Sequence, residues 1–117
     1  MNTRHFTRVK LSIGASIKYG SEEILCSTDN LSLRGMYVKT ERDIPLNIPV
    51  NVTVFCTSQP ALKFNAKVVR REGSGIGLQI HNLNVNSFVE LRKIVSENSG
   101  NHGAVMQETY KMLKCIY

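Results

Sequence analysis

The 117-residue chain has no tryptophan, only three prolines and three cysteines, and no uninterrupted apolar run longer than three residues, as at Val54, Phe55 and Cys56. A membrane-spanning helix needs about 20 consecutive apolar residues and the apolar part of a signal peptide about 7 to 15, so neither is expected. Cys26, Cys56 and Cys115 are odd in number, widely spaced and without a CxxC pair. That pattern fits neither a disulfide framework nor a zinc clip and points to a reducing cytoplasm. With 8 glycines and 3 prolines, collagen-like and disordered classes drop out. Enzyme signatures are missing as well. His5, His81 and His102 lie far apart with no HxxxH or HExxH spacing, and there is no GxSxG elbow. The glycine cluster from Gly73 to Gly77 lacks the Lys-Ser/Thr of a phosphate loop and reads as a turn. We therefore expect no catalytic residue, no metal site and no cofactor.

What is present suits one globular domain: 42% of residues belong to the AVILMFWYC set and 21% are charged, and ordinary domains run to about 100 to 150 residues. Fifteen basic residues against nine acidic give a net charge of +6. Arg4, Arg8, Lys10 and Lys18 fall in a stretch of twenty residues that holds no acid, which suggests an anionic partner met by the amino end.

Apolar residues alternate from Val9 to Tyr19, the pattern of a half-buried strand. Gly20 and Ser21 supply a turn, and Glu22 to Thr28 returns as the second arm of a hairpin. Further strands are expected at Met36 to Thr40, Val50 to Cys56, Leu62 to Arg70 and Ile76 to Ile80, with a loop around Pro45 to Pro49. Six short strands separated by turn signals predict an antiparallel barrel. The period then changes. Ser87 and Glu90 match a capping box, and Phe88, Leu91 and Val95 mark the apolar face of a helix running from about Ser87 to Glu97. After the breaker NSGNHG, from Asn98 to Gly103, the stripe Val105, Met106, Thr109, Tyr110, Met112, Leu113 and Ile116 suits a second helix ending near Cys115. We divide the chain into residues 1–97, barrel and following helix, and 98–117, linker and C-terminal amphipathic helix. The wide stripe must be covered by the barrel, by a second copy or by a different partner.

Two segments stand out as polar chemistry outside this pattern. Arg4 and Arg8 frame His5, Phe6 and Thr7 just before the first strand, in a stretch with no apolar period, so the segment is expected to be mobile until an anion orders it. Each guanidinium is a planar fork that can take two phosphate oxygens or the O6 and N7 edge of a guanine. Asp29 to Gly35 lies between two strands, where Asn30 and Ser32 can cap local backbone, or offer an amide and a hydroxyl to a ligand, and Gly35 admits close approach.

In this order and spacing, RxxxR at Arg4 and Arg8 and NxSxxG at Asn30, Ser32 and Gly35, with MYVKT and VVRREGSGIGLQI after them, the sequence resembles the PilZ domain family over roughly residues 4–97. The resemblance implies a mostly β protein, a six-stranded antiparallel barrel with C-terminal α-helices, acting as a non-catalytic bacterial receptor for cyclic di-GMP. It implies that Arg4 and Arg8 bind phosphates and guanine edges, that Asn30 and Ser32 hydrogen-bond a guanine or its phosphate, and that Gly35 keeps the loop open. Arg34 either adds a contact or faces water, and Gly77 either borders the ligand or serves packing. Asn30 stands where many members have aspartate. Output would go to a downstream protein partner, or to a homodimer through the C-terminal helix. The other reading of a small barrel carrying +6 is single-stranded nucleic-acid binding; it lacks a stacking platform, since the four Phe and four Tyr are scattered.

Overall fold

The computed structural model describes residues 6–57 and 61–117. Among the described residues seven strands and two helices follow one another: β1 (Val9–Lys10), β2 (Gly14–Tyr19), β3 (Glu22–Leu31), β4 (Gly35–Lys39), β5 (Pro49–Val54), β6 (Leu62–Glu72), β7 (Gly75–Asn82), α1 (Val85–Ser99), α2 (His102–Lys111) and a 3-10 turn, Leu113–Cys115. All pairings between strands are antiparallel, and β2 to β7 close into a six-stranded barrel in the order β3-β2-β5-β6-β7-β4, with β4 returning to β3. The predicted barrel is thus present, with β1 as one additional strand outside it.

The alternation read from the sequence is the inward face. Ile17, Val38, Val52, Val54, Leu62, Val68, Ile76 and Ile80 are buried, and they share one core with Leu91 and Val95 of α1. Each such side chain contributes about 1.5–3 kcal/mol on leaving water.

The first strand differs from the expectation of one run from Val9 to Tyr19. It is interrupted at Leu11–Ile13, and both pieces pair with the same long β3, Val9 opposite Leu31 and Gly14 opposite Ser27. Thr28 fills the gap: its buried hydroxyl accepts from the Ile13 N–H at 2.9 Å and donates to the Leu11 carbonyl. β3 correspondingly runs three residues past Thr28, so Asp29 and Asn30 are strand rather than loop. The β3–β4 register shifts between Thr28 and Asn30, a bulge of the kind that re-aims side chains at a sheet rim.

The helical third also departs from the sequence pattern. Asn84, not Ser87, caps α1, its side chain accepting from the Ser87 N–H at 2.8 Å. The Ser87 hydroxyl is used elsewhere: it accepts from the Lys63 N–H at 3.1 Å and ties the helix to β6. The breaker is shorter than expected, because α1 continues through Ser99 and only Gly100 and Asn101 separate it from α2. The Asn101 side chain caps α2 by accepting from the Ala104 N–H at 3.1 Å. The stripe on the second helix is divided between two faces. Val105, Thr109, Met112 and Cys115 are buried, while Met106, Tyr110 and Leu113 are exposed. The chain end is fastened by backbone bonds, Leu83 N–H to the Cys115 carbonyl and Tyr117 N–H to the Leu83 carbonyl, both at 3.0 Å. Among the described residues no helix is long and apolar enough to cross a membrane.

Candidate functional site

The site lies where the segment entering β1 crosses the rim formed by the β3–β4 connection and β7. Arg8 reaches across this rim, and its Nη1 donates to the Asn30 side-chain oxygen at 2.6 Å. The two motifs, 22 residues apart in sequence, therefore meet in space. Arg4 and His5 lie outside the described residues.

Ser32 is 2% exposed and organises its own turn. Its hydroxyl accepts from the Arg34 N–H at 3.2 Å and the Gly35 N–H at 3.1 Å, while the Ser32 N–H donates to the Gly35 carbonyl at 2.8 Å. Gly35 is required by packing against β7: a Cβ there would stand 2.2 Å from the Leu78 carbonyl oxygen. Between these elements opens a cavity of about 350 Å³ lined by Phe6, Arg8, Ser32, Arg34, Gly35, Arg70, Gly77 and Gln79, among others, a size within the usual range for small-molecule sites, about 300–1,000 Å³.

Arg70 and Gln79 are lining residues that motif reading missed. In β6 the inward positions Leu62, Phe64, Ala66 and Val68 would be followed by Arg70, a charge in the core. A register shift between Val68 and Arg70 prevents this, and Arg70 lies over Gly77, where a Cβ would meet its Cγ at 2.9 Å. Arginine at an inward position was the available signal. Arg70 Nε also donates to Glu72 Oε1 at 3.0 Å, an exposed pair. Arg34 borders the same cavity, and its Nη1 donates to the Cys115 sulfur at 3.5 Å. Three guanidiniums, on Arg8, Arg34 and Arg70, thus line one cavity beside an amide, an arrangement suited to an anion with planar polar edges.

Phe6 and Thr7 do not dangle. The Thr7 N–H and hydroxyl donate to the two oxygens of Glu108 on α2, and Lys111 Nζ stands 5.4 Å from the centre of the Phe6 ring. These contacts seat Phe6 to Arg8 against α2 and β3; the rest of the segment expected to be mobile, residues 1–5, lies outside the described range. Of the cysteines, Cys26 is pushed by burial from 9.0 up to about 11, and Cys56 is raised by burial and by the Glu90 carboxylate. Neither supplies a thiolate at neutral pH. Among the described residues no group of three His, Cys, Asp or Glu is placed to hold a metal ion.

The geometry has close counterparts among known folds. A motility inhibitor of Bacillus subtilis (MotI/DgrA) superposes with a TM-score of 0.76 at 14% identity, over 88% of this chain and 54% of that one. This chain thus spans about half the length of that protein. The PilZ domain of YcgR from Escherichia coli, a structure with cyclic di-GMP, matches with a TM-score of 0.69 at 15% identity, over 86% of this chain and 94% of that one. The PilZ domain of CeSA from a cellulose-synthesizing bacterium matches with a TM-score of 0.64 at 18% identity, over 77% and 95%. No curated protein sequence matches. The PilZ domain family model matches residues 2–97, and the chain belongs to that family.

Proposed function

We propose that this protein is a non-catalytic, cytoplasmic receptor for cyclic di-GMP that relays ligand binding to a protein partner. The observation that carries the reading is the Arg8–Asn30 contact at the rim of a cavity that also holds Arg34 and Arg70. Cyclic di-GMP offers two phosphates and two guanines, and forked guanidiniums are the side chains that can engage both. In this reading Arg4 and Arg8 hold phosphate and guanine edges, and Asn30 presents its amide to a guanine. Ser32 shapes the turn whose edge faces the ligand, Gly35 keeps that turn against β7, and Arg34 adds a third fork. Gly77 leaves room for Arg70. Cyclic di-GMP in the matched domain of YcgR supports the ligand's identity.

The division of labour is residues 1–97 for reception and 98–117 for output. The outward row Met106, Tyr110 and Leu113 on and beyond α2, with Val89 of α1 nearby, is the output surface. Arg92 and Lys93 border it, and among the described residues neither makes an ion pair. Glu97 borders the same surface, so the face is mixed in charge with cations in excess, and the occupant proposed is a downstream protein with acidic groups opposite Arg92 and Lys93.

Isothermal titration with cyclic di-GMP, GTP and a short single-stranded oligonucleotide tests the reading. Saturable binding of cyclic di-GMP alone is expected. Binding of the oligonucleotide with a steep salt dependence, and none of cyclic di-GMP, would replace it with the nucleic-acid reading.

A further inference from the structure

A buried carboxylate lies beneath the arginine-bearing segment. Glu108, on α2, is 6% exposed, and its oxygens take both donors of Thr7: the backbone N–H at 2.9 Å and the hydroxyl at 2.7 Å. Thr7 immediately precedes Arg8. Phe6, on its other side, carries the Lys111 ammonium over its ring. Across the cavity, Arg34 of the second motif reaches Cys115 at 3.5 Å. Both motif segments are therefore fastened to a C-terminal unit that lies beyond the 2–97 span of the family model.

Burying a carboxylate is unfavourable unless hydrogen bonds replace its water. No ion pair among the described residues includes Glu108, so Thr7 supplies the hydrogen bonds that make its burial tolerable. Moving Thr7 away would strand the carboxylate, and undocking α2 would release the segment. The two placements depend on one another.

We propose that Glu108 is a positioning residue for the ligand site: by clamping Thr7 it presets the backbone that carries Arg8 to Asn30, and so couples ligand capture to the docking of α2. The clamped form is the one in which Arg8 already faces the cavity, so ligand and clamp stabilise each other, and by reciprocity the ligand must tighten α2. The inference rests on the cyclic di-GMP reading and adds to it the route by which the output helix learns of the ligand.

The test is titration of the full chain with cyclic di-GMP for wild type, Glu108→Ala, Thr7→Val and the double variant, with amide exchange of α2 followed in each. Thr7→Val removes the hydroxyl of a half-buried residue while keeping its size, and supplies a folded variant if Glu108→Ala does not. Each single variant is expected to bind about 5- to 20-fold more weakly, a usual size for coupling between sites. The double variant is expected to bind no more weakly than the worse single one, and ligand-induced slowing of exchange in α2 is expected in wild type alone. Folded variants that bind as wild type does, losing only thermal stability, would overturn the inference and make Glu108 a strut. Absence of binding by wild type would instead overturn the functional reading, and the inference with it.

Discussion

Arg8 donates to the side-chain oxygen of Asn30 at 2.6 Å, so the second arginine of β1's approach is aimed by the second motif. Preset geometry of this kind reduces the ordering that binding must otherwise impose. Arg8→Ala is expected to weaken cyclic di-GMP binding at least tenfold, since hydrogen bonds to a charged group contribute about 1.5–3 kcal/mol. The barrel should keep its melting temperature, because Arg8 is exposed and precedes β1. Asn30→Ala removes the aim and one amide contact and should cost less, about 1 kcal/mol or fivefold. Titration beside a thermal melt reads both variants, and an Arg8→Ala protein with wild-type affinity would remove Arg8 from the site.

Two glycines at this rim separate folding from binding. At Gly35 an added Cβ meets the Leu78 carbonyl at 2.2 Å, and backbone of a paired strand cannot step aside. Gly35→Ala should therefore lower stability by about 1–3 kcal/mol or more, seen as a melting temperature lower by about 4–8 °C for each kcal/mol. At Gly77 the nearest atoms belong to the Arg70 side chain, which can swing away. Gly77→Ala is expected to melt close to wild type and to bind ligand more weakly, because Arg70 is displaced from the cavity. Equal melting temperatures for the two variants would contradict this assignment.

The barrel was legible because a strand's inward face imposes period two, and Ile17, Val52, Val68 and Ile80 declare it in the sequence. Even the bulge at Val69 had a trace, since Arg70 occupies a position where the pattern demands an apolar residue. Thr28 gave no such trace: its role in bridging the break at Leu11–Ile13 follows from a tertiary hydroxyl contact, and threonine in a strand is unremarkable. Ser87 looked like the cap from its spacing to Glu90, yet Asn84 takes that place, and the Lys63 backbone N–H claims the Ser87 hydroxyl. The Thr7–Glu108 clamp joins residues 101 apart and leaves no local pattern at either end. Motif residues Arg8 and Asn30 could be named from spacing; their contact, and the third arginine at 70, needed the fold.

Cys26 gives the protein a pH dependence on the alkaline side. Burial raises its thiol from 9.0 to about 11. The unfolded chain therefore loses this proton first, and between about pH 9 and 11 it binds fewer protons than the folded one. Stability contributed by the protonated Cys26 is full below pH 9 and declines as pH rises toward 11. Urea unfolding at pH 8 and pH 10.5 should show a fall in midpoint that is smaller in Cys26→Ala. Alkylation of Cys26 in the native protein at pH 8 should be slower than that of a free thiol, and a rate equal to that of the unfolded chain would contradict the burial argument.

The exposed half of the C-terminal stripe gives the last prediction. Met106 and Tyr110 are 46% and 64% exposed, while Val105 and Met112 on the same segment are buried at 1% and 0%. Polar replacement on the exposed side, Met106→Gln with Tyr110→Gln, should shift stability by no more than about 0.5 kcal/mol per site and leave cyclic di-GMP affinity unchanged. Replacement on the buried side, Val105→Asp, should unfold the C-terminal unit. If the exposed row meets an acidic partner beside Arg92 and Lys93, the double Gln variant and Arg92→Glu with Lys93→Glu should each lose that partner in affinity capture, and added salt should weaken the wild-type complex. Sedimentation should give the 13.1-kDa monomer with and without ligand. A doubled mass that reverts to monomer in the Gln variant would assign the face to a second copy instead.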